Sequence, residues 1–283
     1  MGVSRGSWDQ ADLAVLTDDD ADQLATHLLT FLNSTSIAIL APITPRHFTQ
    51  LPLWLISIPK AGTHLMLTLV EAFGYKMNFH YRELPQAGGA YYLEYSNAHT
   101  MARDFFVDSV RRAPFGNRHH PFPRFPALFI YRNPLDILVS EARYYHKDGR
   151  TIFAGYFRGM SLHERLERLI DDPWFLGTIR DRVGGFSPWL EMPNVIPISF
   201  EELIGPQGGG ELRVQEDLIW SLQLKLQVPG RTDALCGSVF NSSSPTFNKG
   251  HVGTHRKIFD PSLYKRFMAL PQDFMEKFGY AVV

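Results

Sequence analysis

The sequence predicts a single α/β domain with a central, mostly parallel β-sheet flanked by helices. Apolar runs of strand length occur at 53–58, 91–97, 127–132 and 195–200. Patterns of helix length lie between them, at about 63–74, 100–112 and 134–147. Strands that alternate with helices form parallel sheets, because each crossover helix returns the chain to the same end of the sheet. A hydrophobic content of 45% with 20% charged residues is typical of a folded globular protein.

The composition limits both the partners and the compartment. The chain has 28 Lys and Arg residues against 29 Asp and Glu residues, so its net charge gives no reason to expect nucleic acid or an anionic membrane as a partner. Charged residues lie near the N-terminus, where a signal peptide would be apolar. The single cysteine, Cys236, fits a reducing compartment. We therefore expect a cytoplasmic protein, and the sequence is compatible with a homodimer.

Two regions are predicted along the chain. Residues 1–50 form an N-terminal helical extension, since Asp18, Asp19 and Asp20 precede a helical pattern and would lie near its positive end. Residues 51–283 form the main domain, which has no internal repeat or low-complexity tract. Long polar loops such as 242–259 are often functional in compact domains.

The first candidate site is the turn that joins the strand at 53–58 to the next helix. The turn reads Pro-Lys-Ala-Gly-Thr-His and suits an anion, because the free N–H groups and the dipole of a helix N-terminus attract negative charge. Lys60 adds a positive charge, and Gly62 allows close approach of the backbone. Thr63 and His64 add side-chain donors. On its own, this stretch is also compatible with an ordinary strand-to-helix turn.

A second candidate site follows the strand at 127–132. Arg132 ends this strand, Pro134 begins a helix and Ser140 lies eight positions after the arginine. An arginine there can bind a phosphate with two parallel hydrogen bonds, and the serine hydroxyl supplies another donor. The alternative for Arg132 is a surface ion pair with Asp136 or Glu141. Two anion sites at strand ends imply a ligand with separated phosphates.

Together these motifs resemble the cofactor signature of the sulfotransferases that use 3′-phosphoadenosine 5′-phosphosulfate (PAPS), which have a P-loop-like fold. The family's Pro-Lys-Ser/Ala-Gly-Thr-Thr/His-Trp/Leu motif matches Pro59–Leu65, and its Arg-Asn/Asp-Pro motif with a following serine matches Arg132–Ser140. The resemblance implies that PAPS is the sulfuryl donor and that no metal is needed. It also implies that the 5′ phosphosulfate is bound by Lys60, Ala61, Gly62, Thr63, His64 and Leu65, and the 3′ phosphate by Arg132 and Ser140.

Two further segments resemble family motifs less closely. The stretch 195–204 is similar to Val-x-x-Tyr-Glu-Asp-Leu, with Phe200 in place of the tyrosine. The stretch 246–257 is similar to the Arg-Lys-Gly-x-x-Gly-x-Trp-Lys loop that closes over the cofactor, with Asn248 in place of the arginine and His255 in place of the tryptophan. The resemblance implies further cofactor contacts from Phe200, Ser238, Phe240, Asn248, Lys249 and Gly250.

The implied reaction transfers a sulfuryl group to a small organic acceptor, an alcohol, a phenol or an amine. Lys60 is the expected catalytic group that neutralises charge on the leaving phosphate. His99 is the expected base, because it follows a predicted strand and would lie at the same sheet edge as Lys60 and Arg132. His119 and His120 remain alternatives, since their surroundings resemble the family's His-Leu-Pro more closely.

The aromatic residues between the motifs are candidates for an acceptor pocket. They are Tyr91, Tyr92, Tyr95, Phe105, Phe106, Tyr144, Tyr145 and Trp189. The alternative for each ring is an ordinary place in the core. Two other functions stay open: a P-loop kinase-like enzyme, and a non-catalytic or degenerate nucleotide-binding module suggested by Asn248 and His255.

Overall fold

The structure is a computed structural model, and it describes residues 50–78, 86–93, 124–149, 151–172, 177–240 and 250–281. These residues all belong to one compact unit, Phe48–Val283. The predicted extension at 1–50 lies outside them except for residue 50. Five residues of the predicted site, or alternatives to them, also lie outside: His99, His119, His120, Asn248 and Lys249.

The described residues form one parallel sheet of five strands, which confirms the predicted fold class. The strands are β1 (Leu53–Ser57), β2 (Lys76–Asn78), β3 (Gly89–Tyr92), β4 (Ala127–Tyr131) and β5 (Val195–Ser199). Their order across the sheet is β2-β3-β1-β4-β5, and each of the four pairings is parallel. The sequence did not predict β2, because this three-residue edge strand has no apolar run.

Nine α-helices are present in the described part of the chain. They are α1 (Thr63–Ala72), α2 (Pro134–Tyr144), α3 (Leu162–Asp171), α4 (Ile179–Gly184), α5 (Phe200–Leu203), α6 (Leu212–Leu226), α7 (Thr232–Val239), α8 (Pro261–Met268) and α9 (Asp273–Lys277). Within these residues, none is long and apolar enough to cross a lipid bilayer. The predicted helix at 100–112 falls on residues that the structure does not describe.

Helices cover both faces of the sheet, and strands β1 and β4 are accordingly apolar on both sides. Successive side chains of a strand point to opposite faces. In β1, Trp54 and Ile56 accordingly belong to one core cluster, whereas Leu53 and Leu55 belong to the other. Helix α2 packs into the first cluster and α1 into the second. The two helices that follow the candidate anion sites therefore lie on opposite faces of the sheet.

Three neighbouring strands, β1, β4 and β5, end side by side at one edge of the sheet. Ser57 of β1 is in register with Ile130 of β4, and Tyr131 of β4 with Ser199 of β5. The Ile58 N–H extends this pairing by donating to the Ile130 carbonyl at 3.1 Å. The chain segments that leave β1, β4 and β5 consequently begin next to one another. In open α/β sheets, ligands bind at this carboxyl edge.

Candidate anion-binding site at the carboxyl edge

The turn between β1 and α1 leaves the first helical N–H groups open. Gly62 is the N-cap and has no side chain that could accept from them, and the first turn of α1 contains no acidic residue. The turn is also sharply bent, with φ of 65° at Lys60 and 104° at Gly62. A lysine with positive φ is strained, and such strain is common at ligand sites. The Ser57 and Thr63 hydroxyls lie 2.6 Å apart and fix the start of the helix.

Lys60 lies over the ring of Tyr144 from α2, with its Nζ 3.6 Å from the ring centroid. Burial lowers the pKa of Lys60 to about 8, and the positive charges of Lys147 and Arg132 act in the same direction against the opposing effect of Glu141. The pKa of His64 is also lowered, first by desolvation and then by the charge of Lys60. Near pH 8 Lys60 is therefore only partly charged, and it can take up a proton when an anion binds.

Arg132 follows β4 and is 6% exposed. Its Nη2 donates to the His251 carbonyl at 3.0 Å and lies 3.7 Å from a carboxylate oxygen of Asp136. Its Nε is buried, and no acceptor for it lies within the described residues. The alternative of an ion pair between Arg132 and Asp136 is confirmed, but this pair is buried and does not lie at the surface. Glu141 pairs with Arg182 at 2.7 Å.

Phe200, at the end of β5, joins the two turns. It is 3% exposed, and the Arg132 guanidinium lies over its ring at 4.0 Å from the centroid. A side chain at Gly62 would place its Cβ 2.6 Å from Phe200 Cδ2, so only glycine lets the first turn approach this ring. Phe200 thus lies against both candidate anion-binding turns.

Glu201 is hydrogen-bonded to the turn that follows β4. Its carboxylate accepts from the Asn133 backbone N–H at 3.0 Å and from the Tyr280 hydroxyl at 2.8 Å. Burial raises the pKa of Glu201, although these hydrogen bonds and the charge of Arg132 oppose that shift. Glu201 and Tyr280 could not be predicted as supports of the site, because they lie 68 and 147 positions from Asn133 in the sequence.

The remaining predicted residues lie on three other segments of the described chain. Ser140 is half-buried on α2. Ser238 lies near the end of α7, where its hydroxyl donates to the Leu235 carbonyl at 2.7 Å. Phe240 follows α7 and packs against the core cluster that contains α1. Gly250 begins the described segment that reaches Arg132.

The aromatic residues divide into core rings and one ring at the site. Tyr91, Tyr92, Tyr145 and Trp189 are each less than 10% exposed and belong to the two core clusters, which confirms the core alternative for these four. Tyr144 is half-buried and contacts Lys60. The other three rings, Tyr95, Phe105 and Phe106, lie outside the described residues.

Gly62→Ala should destabilise the fold because the new methyl group would collide with Phe200. Gly159→Ala is the matched control: Gly159 also has a positive φ, of 77°, but its Cβ would meet nothing within 4 Å. We expect Gly62→Ala to lower the free energy of unfolding by about 1–3 kcal/mol more than Gly159→Ala. Urea unfolding of both variants measures this difference, and equal losses would show that Phe200 does not limit the turn.

Comparisons with known structures identify the fold. A crystal structure of mouse sulfotransferase SULT7A1 complexed with PAP matches with a TM-score of 0.51 and 16% sequence identity, covering 81% of this chain and 89% of that chain. A crystal structure of retinol dehydratase with androsterone and the inactive cofactor PAP gives a TM-score of 0.39 and 16% identity over 80% of each chain. No protein-family model matches the chain, and no curated protein matches its sequence. The first match shows that the chain has the fold of a sulfotransferase.

Proposed function

We propose that this protein is a PAPS-dependent sulfotransferase, which transfers a sulfuryl group to a hydroxyl or amine of a small organic acceptor and releases 3′-phosphoadenosine 5′-phosphate (PAP). The main support is the placement of Lys60 and Arg132 after two adjacent parallel strands, β1 and β4. The sulfotransferase fold of the chain supports the same conclusion. The fold alone does not define an activity, so the proposal depends on the site.

The residues at this edge of the sheet fit a nucleotide that carries phosphates at its 3′ and 5′ positions. The first turn of α1 offers backbone N–H groups without a side-chain cap, next to the Lys60 ammonium. Arg132 keeps one buried donor, Nε, for which the described residues supply no acceptor. Buried donors are normally paired, so an unpaired one indicates a binding partner. No group of His, Cys, Asp or Glu side chains that could hold a metal ion occurs among the described residues.

The chain's own residues would bind the donor and stabilise charge. PAPS, when bound, supplies an activated sulfuryl group whose departure leaves negative charge on the 5′ phosphate. The N–H groups at Gly62–Leu65 would hold that phosphate, and the Lys60 ammonium would neutralise the developing charge. Arg132 and Ser140 would hold the 3′ phosphate and fix the orientation of the nucleotide.

The acceptor needs a base, which we assign to His99, with His119 and His120 as alternatives. A histidine titrating near neutral pH can accept the proton of a hydroxyl or an amine as the new bond to sulfur forms. All three histidines lie outside the described residues, so the assignment depends on the sequence and on the resemblance. A His99→Ala variant that retained full turnover would exclude His99 as the base.

Thermal unfolding with candidate nucleotides tests the proposal. A ligand held by the folded state raises the Tm, so PAP at 100 times its Kd should stabilise the protein by about 2.7 kcal/mol, while ATP with Mg²⁺ should have a smaller effect. Stabilisation by ATP with Mg²⁺ instead would favour a kinase-like enzyme. PAP binding without turnover of PAPS on a panel of alcohols, phenols and amines would favour a non-catalytic nucleotide-binding module.

A further inference from the structure

The segment 250–257 is fixed to α2 by one buried carboxylate. This segment, called the basic loop below, contains His251, Arg256 and Lys257. The side chain of Asp136 is fully buried and accepts three hydrogen bonds from the loop. The donors are the Gly253 N–H at 2.7 Å, the His255 N–H at 2.9 Å and His255 Nδ1 at 2.9 Å.

The geometry of the loop is adapted to this carboxylate. Gly253 has a φ of 71°, a conformation that glycine adopts without strain, and the N–H groups of residues 253 and 255 both point at Asp136. Burial by itself raises the pKa of Asp136, but the hydrogen bonds from His255 and the charge of Arg132 outweigh it, so the pKa is lowered. Asp136 therefore stays ionised, and its hydrogen bonds to the loop are charge-assisted.

The same carboxylate also reaches the second anion-binding turn. Asp136 lies 3.7 Å from Arg132 Nη2, and that Nη2 donates to the His251 carbonyl of the basic loop at 3.0 Å. Arg132, Asp136 and the loop are therefore joined by direct contacts. His255 completes the set: it is 7% exposed, and its ring meets Phe259 edge to face at 6.4 Å between centroids.

We propose that Asp136 and His255 form a positioning pair that holds the basic loop against Arg132 and thereby sets the selectivity for a phosphate on the 3′ side of the nucleotide. The nucleotide part of this inference rests on the proposed function. In the resembling family motif, a tryptophan occupies the position of His255. A directed hydrogen bond from His255 Nδ1 to Asp136 thus takes the place of that packing contact, and Nδ1 is the side-chain donor among the three hydrogen bonds that hold the loop.

Limited proteolysis without nucleotide tests the pair itself. Arg256 and Lys257 are exposed, so trypsin can cleave after them once the loop leaves its place. His255→Leu removes the Nδ1 donor, and we expect cleavage after Arg256 and Lys257, identified by mass spectrometry, to become about tenfold faster or more. His255→Asn places an amide N–H near the position of Nδ1 and should keep the original rate. Equal rates in His255→Leu and the wild type would overturn the pair.

A matched control separates the pair from a general effect of losing a histidine. His163 also contacts an aspartate, with its Nδ1 3.3 Å from Asp260, but both side chains are more than 40% exposed. His163→Leu should leave cleavage of the basic loop unchanged. If His255→Leu does not fold, His255→Gln replaces it, because the longer amide cannot occupy the Nδ1 position. Faster cleavage of His255→Gln than of His255→Asn supports the pair, and equal rates of the two variants contradict it.

Calorimetry with two nucleotides tests the effect on selectivity. We expect His255→Leu to weaken PAP binding by about tenfold to a hundredfold, the size of a lost hydrogen bond to a charged group, and to leave binding of 5′-AMP unchanged. His255→Asn should bind PAP like the wild type. An equal loss for both nucleotides, or no loss for either, would contradict the role in selectivity. If the wild type binds neither nucleotide, the proposed function fails, and so does the role in selectivity, whereas proteolysis still decides whether the pair holds the loop.

Discussion

Lys60→Met is expected to lower kcat for sulfuryl transfer by about 10²–10³-fold, the usual loss when one group that stabilises transition-state charge is removed. Methionine keeps the length and apolar character of the side chain, so it can still lie on the Tyr144 ring while the positive charge is lost. Because that charge matters most when the leaving phosphate becomes negative, kcat should fall more than KM for PAPS rises. Steady-state kinetics with PAPS and any acceptor that turns over measure both constants.

Lys76→Met is the control for this prediction, because Lys76 is an exposed lysine on edge strand β2. It should leave kcat unchanged. A Lys60→Met enzyme with wild-type kcat would exclude Lys60 as the catalytic cation. A rise in KM alone would assign Lys60 to ground-state binding.

The lowered pKa of Lys60 adds a pH dependence to PAP binding. Well below pH 8 the Lys60 side chain is already protonated in the free protein, so Lys60 should add no pH dependence to PAP affinity there. Bound phosphate favours the charged form of Lys60 and raises its pKa. Above pH 8, Lys60 must therefore take up a proton when PAP binds, and PAP affinity should fall by up to about tenfold per pH unit. Calorimetry in buffers of different ionisation enthalpy measures the proton uptake, which Lys60→Met should abolish. No proton uptake by the wild type at pH 8.5 would contradict contact between Lys60 and the phosphate.

Arg132→Met is expected to weaken PAP binding by about 2–5 kcal/mol, the cost of removing one partner from a buried charged contact. Binding of 5′-AMP, which has no 3′ phosphate, should change much less, so the variant should lose its preference for PAP. Calorimetry with both nucleotides measures the two affinities. Because Arg132 also contacts Phe200 and Asp136, unfolding is followed in parallel, and Arg132→Lys provides a milder change.

Arg180→Met is the control for Arg132. Arg180 forms an ion pair with Asp273 at 2.8 Å, but these side chains are 40% and 45% exposed, so its loss should have little effect on stability or on PAP binding. Equal affinities of wild type and Arg132→Met for PAP would exclude Arg132 as the 3′ phosphate ligand.

The fold and the two main turns could be predicted because their signals are local. A buried strand, its turn and the following helix are continuous in sequence, so Lys60 and Arg132 could each be placed at a strand end. Parallel topology then brings the carboxyl ends of neighbouring strands together, as the pairing of β1 with β4 shows. The edge strand β2 could not be predicted, since its three residues carry no periodic pattern.

Contacts between distant parts of the chain could not be predicted in the same way. The sequence indicates Asp136 only as a surface partner of Arg132, but its main partners are Gly253 and His255, more than a hundred residues away. Phe200 was expected to contact the cofactor, and it also fills the space between Gly62 and Arg132. Such contacts depend on strand order and on the paths of loops, which one sequence does not specify.

The most direct test is a crystal structure of the protein with PAP. It should place the 5′ phosphate within hydrogen-bond distance of Lys60 Nζ and the N–H groups that open α1, and the 3′ phosphate on Arg132. The proposal would be contradicted if PAP bound elsewhere while Lys60 still lay on Tyr144 and Arg132 still donated to the His251 carbonyl, because the nucleotide site would then not lie between the ends of β1 and β4.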